Sequence, residues 1–249
     1  MTDYCIGPAS PARSAGGPNG ARGADVLLAV LQFADGLFPS GGFAHSFGLE
    51  TYAQTGAIRD ASGVGEFLRA QLEGSTGPAD AVAAACAVRR ARETDLAGSV
   101  EIDQRLDAMK WVPEFRAGSL QMGRQTARVA EATGDAFMAE LAHAIDDGGT
   151  PGHHAVVFGA ALGRHDVDPE LVAAAYLHST AALLVNAALR LVAVGQLEGQ
   201  RLLASLRPLI GRLAHEAAIA EPDEMWSFTP ALEIAGVRHG GLDARMFRS

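Results

Sequence analysis

Residues Leu171–Leu203 read LVAAAYLHSTAALLVNAALRLVAVGQLEGQRLL, and this stretch decides the fold. Asp168 and Pro169 just before it make a helix start: the carboxylate can accept from an unpaired N–H, and Pro at the first helical position gives up only an N–H that has no partner. From there about 26 residues run without a breaker, enough helix to reach about 39 Å, the diameter of a whole domain. The segment is apolar on nearly all sides, so it must be surrounded by other helices or buried in a dimer interface. Ser179 and Thr180 can bond back to their own helix carbonyls, whereas Asn186 and Arg190 need partners from other segments. His178, Asn186 and Arg190 are costly in hydrocarbon, so a buried core helix is expected here and not a membrane span.

Helical periodicity extends outward from this element. Upstream, Leu27, Val30, Leu31, Ala34, Leu37 and Phe38 recur at helical spacing behind an N-cap at Asp25. Further helices are predicted over 43–54, 61–73, 78–92, 100–110, 114–133 and 135–145, with a loop at Asp146–Gly149. The helix over 78–92 carries AVAAACAV, small residues that let neighbouring backbones approach closely, and Cys86 is one of them. Downstream, Leu202, Leu206, Leu209, Leu213 and Ala217 mark a long helix, kinked or broken near Pro208. The expected fold is therefore all-α: a single-domain compact bundle of about ten helices around a long central apolar helix, spanning 25–220. Residues 1–24, dense in Gly and Pro and poor in large apolar side chains, are expected to form a disordered arm. Residues 221–249 hold Trp226, Phe228, Leu232, Ile234, Met246 and Phe247 but no sustained period, and read as a tail.

Composition narrows the function classes. With 48% hydrophobic and 20% charged residues, the chain has the make-up of an ordinary folded protein. The net charge of -9, from 20 Lys plus Arg against 29 Asp plus Glu, offers no basic field for a phosphate backbone, so nucleic acid is not expected as a partner. Cys5 and Cys86 suggest neither a disulfide framework nor a paired-cysteine metal site. The first residues, MTDYCIGPAS, lack a basic segment followed by an apolar one, and a cytoplasmic location is expected.

The least generic stretch is Leu31–Glu50, LQFADGLFPSGGFAHSFGLE. Pro39 disfavours helix at Phe38, and Gly41 and Gly42 have no Cβ to forbid positive φ, so the chain should turn sharply between two helices. With Asp35, Pro39, Gly41, Gly42, Phe43, Ala44, His45, Ser46, Gly48, Leu49 and Glu50, the segment resembles the N-terminal signature of the urease accessory protein F (UreF) family. Three further elements carry the same resemblance. One holds Arg116, Ser119, Gly123 and Arg124; the next holds Pro151, His153, His154, Val156, Phe158 and Gly159; the longest runs from Tyr176 to Gln200. The tail is similar to the family's ending, from Pro230, Leu232, Ile234, Ala235, Arg238 and His239 to the terminal Arg245, Met246, Phe247, Arg248 and Ser249. It departs at Gly240 and Gly241, where the family usually has Glu directly after Arg-His.

The resemblance implies an all-helical, non-enzymatic chaperone that forms a homodimer. It would bridge a D/H-type accessory protein and a G-type GTPase, so that the complex matures apo-urease by nickel insertion coupled to GTP hydrolysis. No cofactor is implied. The expected partner-binding residues are Arg238, His239, Arg245, Met246, Phe247, Arg248 and Ser249 of the tail, which would order only on binding, with His45 and Glu50 at the turn. For those last two the alternative is an internal cap and hydrogen-bond network.

Enzymatic readings find little support in the residues. Asp35, Ser40, Ser46 and His45 could be enlisted as orienter, nucleophile and base, but no strand-turn-helix elbow exposes a serine. With Lys110 the only lysine, there is no phosphate loop. The competing class is an all-helical small-molecule or metal-binding enzyme in which His45, His153 and His154 converge. Adjacent histidines point about 100° apart on a helix, so His153 and His154 cannot share one metal without help; one is expected inside, the other toward solvent or a dimer partner.

Overall fold

A computed structural model describes residues 18–249, and those residues are all helix, turn and loop, with no strand among them. Helix α1 (Pro18–Ala34) leads through the Gly-rich turn to α2 (Leu49–Gln54) and α3 (Ala61–Gln71). Then come α4 (Val82–Arg92), α5 (Leu96–Met109), α6 (Pro113–Glu131), α7 (Ala136–Asp146) and α8 (His154–Gly163). The long pair α9 (Pro169–Leu191) and α10 (Gln196–Ile219) precedes the short α11 (Pro230–His239). The all-α bundle expected from the sequence is what forms. Of the expected arm, residues 1–17 lie outside the described residues. Its remainder is the start of α1, which begins at Pro18, where a missing N–H costs nothing, and not at Asp25.

At the centre of the packing is the closest helix pair, α4 against α8. A Cβ at Gly159 would collide with the Ala84 carbonyl, and one at Gly163 would stand 2.8 Å from the Val88 carbonyl oxygen. Ala83, Ala84, Ala87 and Val88 are fully buried, so the small-residue run sets how near the two backbones come. Helix α9 packs alongside on α10, α4 and α8. Its Asp168 side chain accepts from the Glu170 N–H at 2.9 Å, as expected of that N-cap. It is the one described helix long and apolar enough to cross a membrane, and over half of its apolar window is buried inside the protein. One stripe is nevertheless open: Leu171, His178, Asn186 and Arg190 are exposed. Arg190 does find other segments, lying 4.4 Å from the centre of the Phe247 ring and donating to Phe43 O at 3.5 Å, whereas Asn186 stays exposed without a side-chain partner among the described residues, contrary to the sequence reading.

Three other elements depart from the periodicity. The helix predicted over 43–54 begins only at Leu49, after a 3-10 turn (Gly42–Ala44) and a left-handed pair, Phe47 at φ 47° and Gly48 at φ 88°. No break separates the predicted helices at 61–73 and 78–92, because a π-helical segment, Leu72–Ala81, carries the chain through Pro78. The wider π turn leaves carbonyls without an in-helix partner, and the tail supplies donors: Phe228 N–H to Gly74 O at 2.7 Å, Trp226 N–H to Pro78 O at 3.2 Å. Helix α10 continues through Pro208 unbroken, since Pro208 is exposed and the carbonyl it frees one turn back can turn to water.

Candidate partner-docking site

The Gly-rich turn is built to receive something. Asp35 closes helix α1 by accepting from the Leu37 N–H at 2.6 Å, and Gly41 takes φ 81°, a conformation a side chain would strain. Gly42 then passes so close to Leu183 that an added Cβ would sit 2.6 Å from it. The chain emerges at His45 extended, with the N–H groups of Ser46 and Phe47 pointing away from any helix. Both donate to one atom, the carbonyl oxygen of Ser249, at 2.7 and 3.0 Å, and the Ser46 hydroxyl donates to the same atom at 2.7 Å. The His45 Nδ1 lies 2.9 Å from Ser249 Oγ, and Arg248 N–H donates to Ala44 O at 2.8 Å.

A second anchor holds the tail one helical turn away. Glu50, in the first turn of α2, is buried and accepts from the N–H groups of Met246 (2.7 Å) and Phe247 (3.0 Å) and lies 3.0 Å from His239 Nε2. Burial pushes the Glu50 carboxyl up, but these donors outweigh it and hold the group below the usual carboxylate range. The other nitrogen of His239, Nδ1, lies 2.6 Å from Glu114 Oε2, whose partner oxygen takes Arg245 at 2.9 Å. His239 has no exposed surface. Both of its nitrogens thus face carboxylates, so the one ring ties Glu50 of α2 to Glu114 of α6. Gly236 completes the seat by leaving room for the Phe115 ring beneath α11.

The tail is accordingly ordered on its own chain, whereas the resemblance implied ordering only on binding. The expected site residues divide in two. His45, Glu50, His239, Phe247 and Ser249 are buried and form the seat; Arg238, Arg245, Met246 and Arg248 are exposed on its outside. Nothing in the turn's sequence announces Glu114, Phe115 or Gly118, whose bare Cα faces the His45 ring, as parts of this seat. The signal that could have found Glu114 is its place beside Pro113 in the first turn of α6, where a carboxylate is favoured.

The other candidate chemistry does not assemble. His45 is held near neutral form by burial first and by Arg248 second, both lowering its pKa, and its Nε2 is buried without a partner. Asp35 is engaged with Leu37, and Ser40 with the Gly42 N–H at 3.4 Å, so neither reaches His45. His153 and His154 are both inside, although one was expected outward. His153 sits between Ser119 Oγ (2.9 Å) and Asp107 Oδ1 (2.8 Å), while His154 packs edge-on against Phe158. Burial lowers His154 to about 4. Among the described residues no three His, Cys, Asp or Glu side chains stand together as a metal-ligand set.

Comparison with known proteins gives this arrangement a context. The UreF family model matches residues 58–207. The chain is 31% identical over 228 residues to a urease accessory protein UreF of Bacillus sp. (strain TB-90), covering 90% of this chain and 99% of that protein. It is 33% identical over 226 residues to the UreF of Methylorubrum populi, covering 89% and 98%, and 32% identical over 224 residues to that of Corynebacterium efficiens, covering 89% and 96%.

Proposed function

The chain belongs to the UreF family of urease accessory proteins, and from that premise we propose that it is a cytoplasmic, non-catalytic chaperone bridging a D/H-type accessory protein and a G-type GTPase. In this reading the assembled complex delivers nickel to apo-urease and modulates GTP hydrolysis, with nickel as cargo. The observation that carries the proposal is the seated tail. Its buried residues fix the backbone, so that Arg238, Arg245, Met246 and Arg248 stand outward beside Ile234 (50% exposed) and Val237 (54% exposed). Apolar side chains ringed by Arg form the chemistry of a protein-protein hot spot, and a preformed seat removes the ordering entropy that a floppy tail would lose on docking. The open stripe of α9 is the surface on which a homodimer would form, since it interrupts an otherwise buried helix.

The test is a pull-down with the two accessory proteins of the same organism. The chain cut after Gly236 is expected to lose the D/H-type partner, as is the full chain carrying Arg238→Glu with Met246→Asp, two exposed side chains with no hydrogen bond or ion pair among the described residues. Retention of that partner by the double variant would overturn the docking role of the tail. Failure of the intact chain to bind either protein, with or without nucleotide and nickel, would overturn the bridging role itself.

A further inference from the structure

The geometry points to the outer face of α6 as a docking groove for a carboxylate-rich segment of a partner protein, an inference that rests on the bridging role proposed above. Arg116, Leu120, Arg124 and Arg128 follow one another at intervals of four residues and line one groove with Trp111 and Lys110. On a chain of net charge -9 this is a concentrated positive strip, and among the described residues Asp107 is the only carboxylate lining it. That carboxylate is already used. It takes Arg116 through two bonds, at 2.7 and 3.2 Å, and His153 at 2.8 Å; Lys110 is likewise turned onto Asp80 at 2.7 Å. Arg124 and Arg128 are exposed and make no ion pair or side-chain hydrogen bond among the described residues. An Arg row alone would be a solvated helix face. This one has an apolar floor, because Trp111, a residue that usually buries itself, is 58% exposed in the same groove, next to Leu120 and Pro113. Planar guanidinium forks beside an exposed indole suit a segment that presents Asp or Glu together with an apolar anchor.

The experiment uses the full chain carrying Arg124→Glu and Arg128→Glu, both on exposed positions, with a melting curve to show that the fold is kept. Affinity for the two accessory proteins is measured at low and high salt. Intact protein is expected to bind one of them in a salt-sensitive way, and the double variant to lose about tenfold or more of that affinity, while Trp111→Ala weakens binding with the salt dependence kept. A double variant that binds both partners within about twofold of the intact chain overturns the inference. So does a change in its self-association by sedimentation, which would make the groove's occupant a second copy of this chain. If the intact chain binds neither partner, the bridging role fails, and titration with polyglutamate decides the groove separately. In a Trp226→Phe background, a Trp111 fluorescence change that the double variant abolishes supports the groove; no change in the unreversed chain overturns it.

Discussion

Glu50 and His239 meet 3.0 Å apart with almost no surface exposed to water, across 189 residues of sequence. The contact ties the first short helix after the Gly-rich turn to the last helix of the chain. Glu50 also takes the two N–H groups of Met246 and Phe247, so one carboxylate sets the course of the final residues.

Loss of that carboxylate should release the tail. Glu50→Gln is expected to lower amide protection at Met246 and Phe247 by roughly 30-fold, about 2 kcal/mol, with the helical core unchanged. The pH sign follows from the lowered Glu50 pKa. Its contribution is fully present above the unfolded-chain value of about 4.3 and fades as pH falls through the lower folded value. Protection factors that ignore both the substitution and acid would show that the tail is held by something else.

Asp103 predicts a larger effect in the core. Its carboxylate is buried and takes Thr150 Oγ1 at 2.6 Å and the N–H groups of Gly152 and His153, fixing the loop that opens α8. Asp103→Ala leaves those donors dry and should cost about 3 kcal/mol, read as a drop in the denaturant midpoint. Asp103→Asn, which keeps acceptor capacity, should cost less.

Two glycines should respond in opposite directions. Gly159→Ala forces α8 away from the Ala84 carbonyl and is expected to destabilise by about 3 kcal/mol or more. Gly211→Ala in α10 meets nothing within 4 Å and should stabilise by about 0.5–1 kcal/mol through helix propensity. Equal effects at the two positions would contradict the close α4–α8 packing.

His154 should stay neutral at neutral pH. Its folded pKa of about 4 lies below the unfolded value of about 6.5, so the unfolded chain binds the extra proton first. Stability is complete above the unfolded value and declines as pH drops from there toward 4, by on the order of 3 kcal/mol in all. His154→Phe should flatten that part of the stability-pH curve, and a ring resonance titrating near 6.5 would refute the assignment.

How far the sequence foretold this depended on the range of the interactions. The Asp168–Pro169 start, the apolar run of α9 and the small residues of α4 are local signals, and each reads directly as the structure has it. The Gly-rich turn was visible as a turn, but not what it receives. Apolar spacing over 43–54 cannot reveal that the Ser46 and Phe47 N–H groups belong to Ser249, and that capture is what delays α2 to Leu49. Pro78 likewise signals a break on local grounds. It becomes part of a continuous helix only because Trp226 and Phe228 arrive from the far end to satisfy the widened turn. The sequence singles out His45 and Glu50, while Glu114, the second carboxylate on His239, is legible only once α6 and α11 stand side by side.

The bond from Ser46 to Ser249 spans 203 residues, and with the Glu50 contact it closes nearly the whole described chain into a ring. A helical bundle ordinarily assembles from neighbours in sequence and so reaches its native state quickly. Here the last step is a long-range closure whose entropic cost is met only after the helices that carry both ends have docked. The tail seat is therefore expected to form late in folding and to open before the helical core in unfolding, although it is among the most buried parts of the described chain.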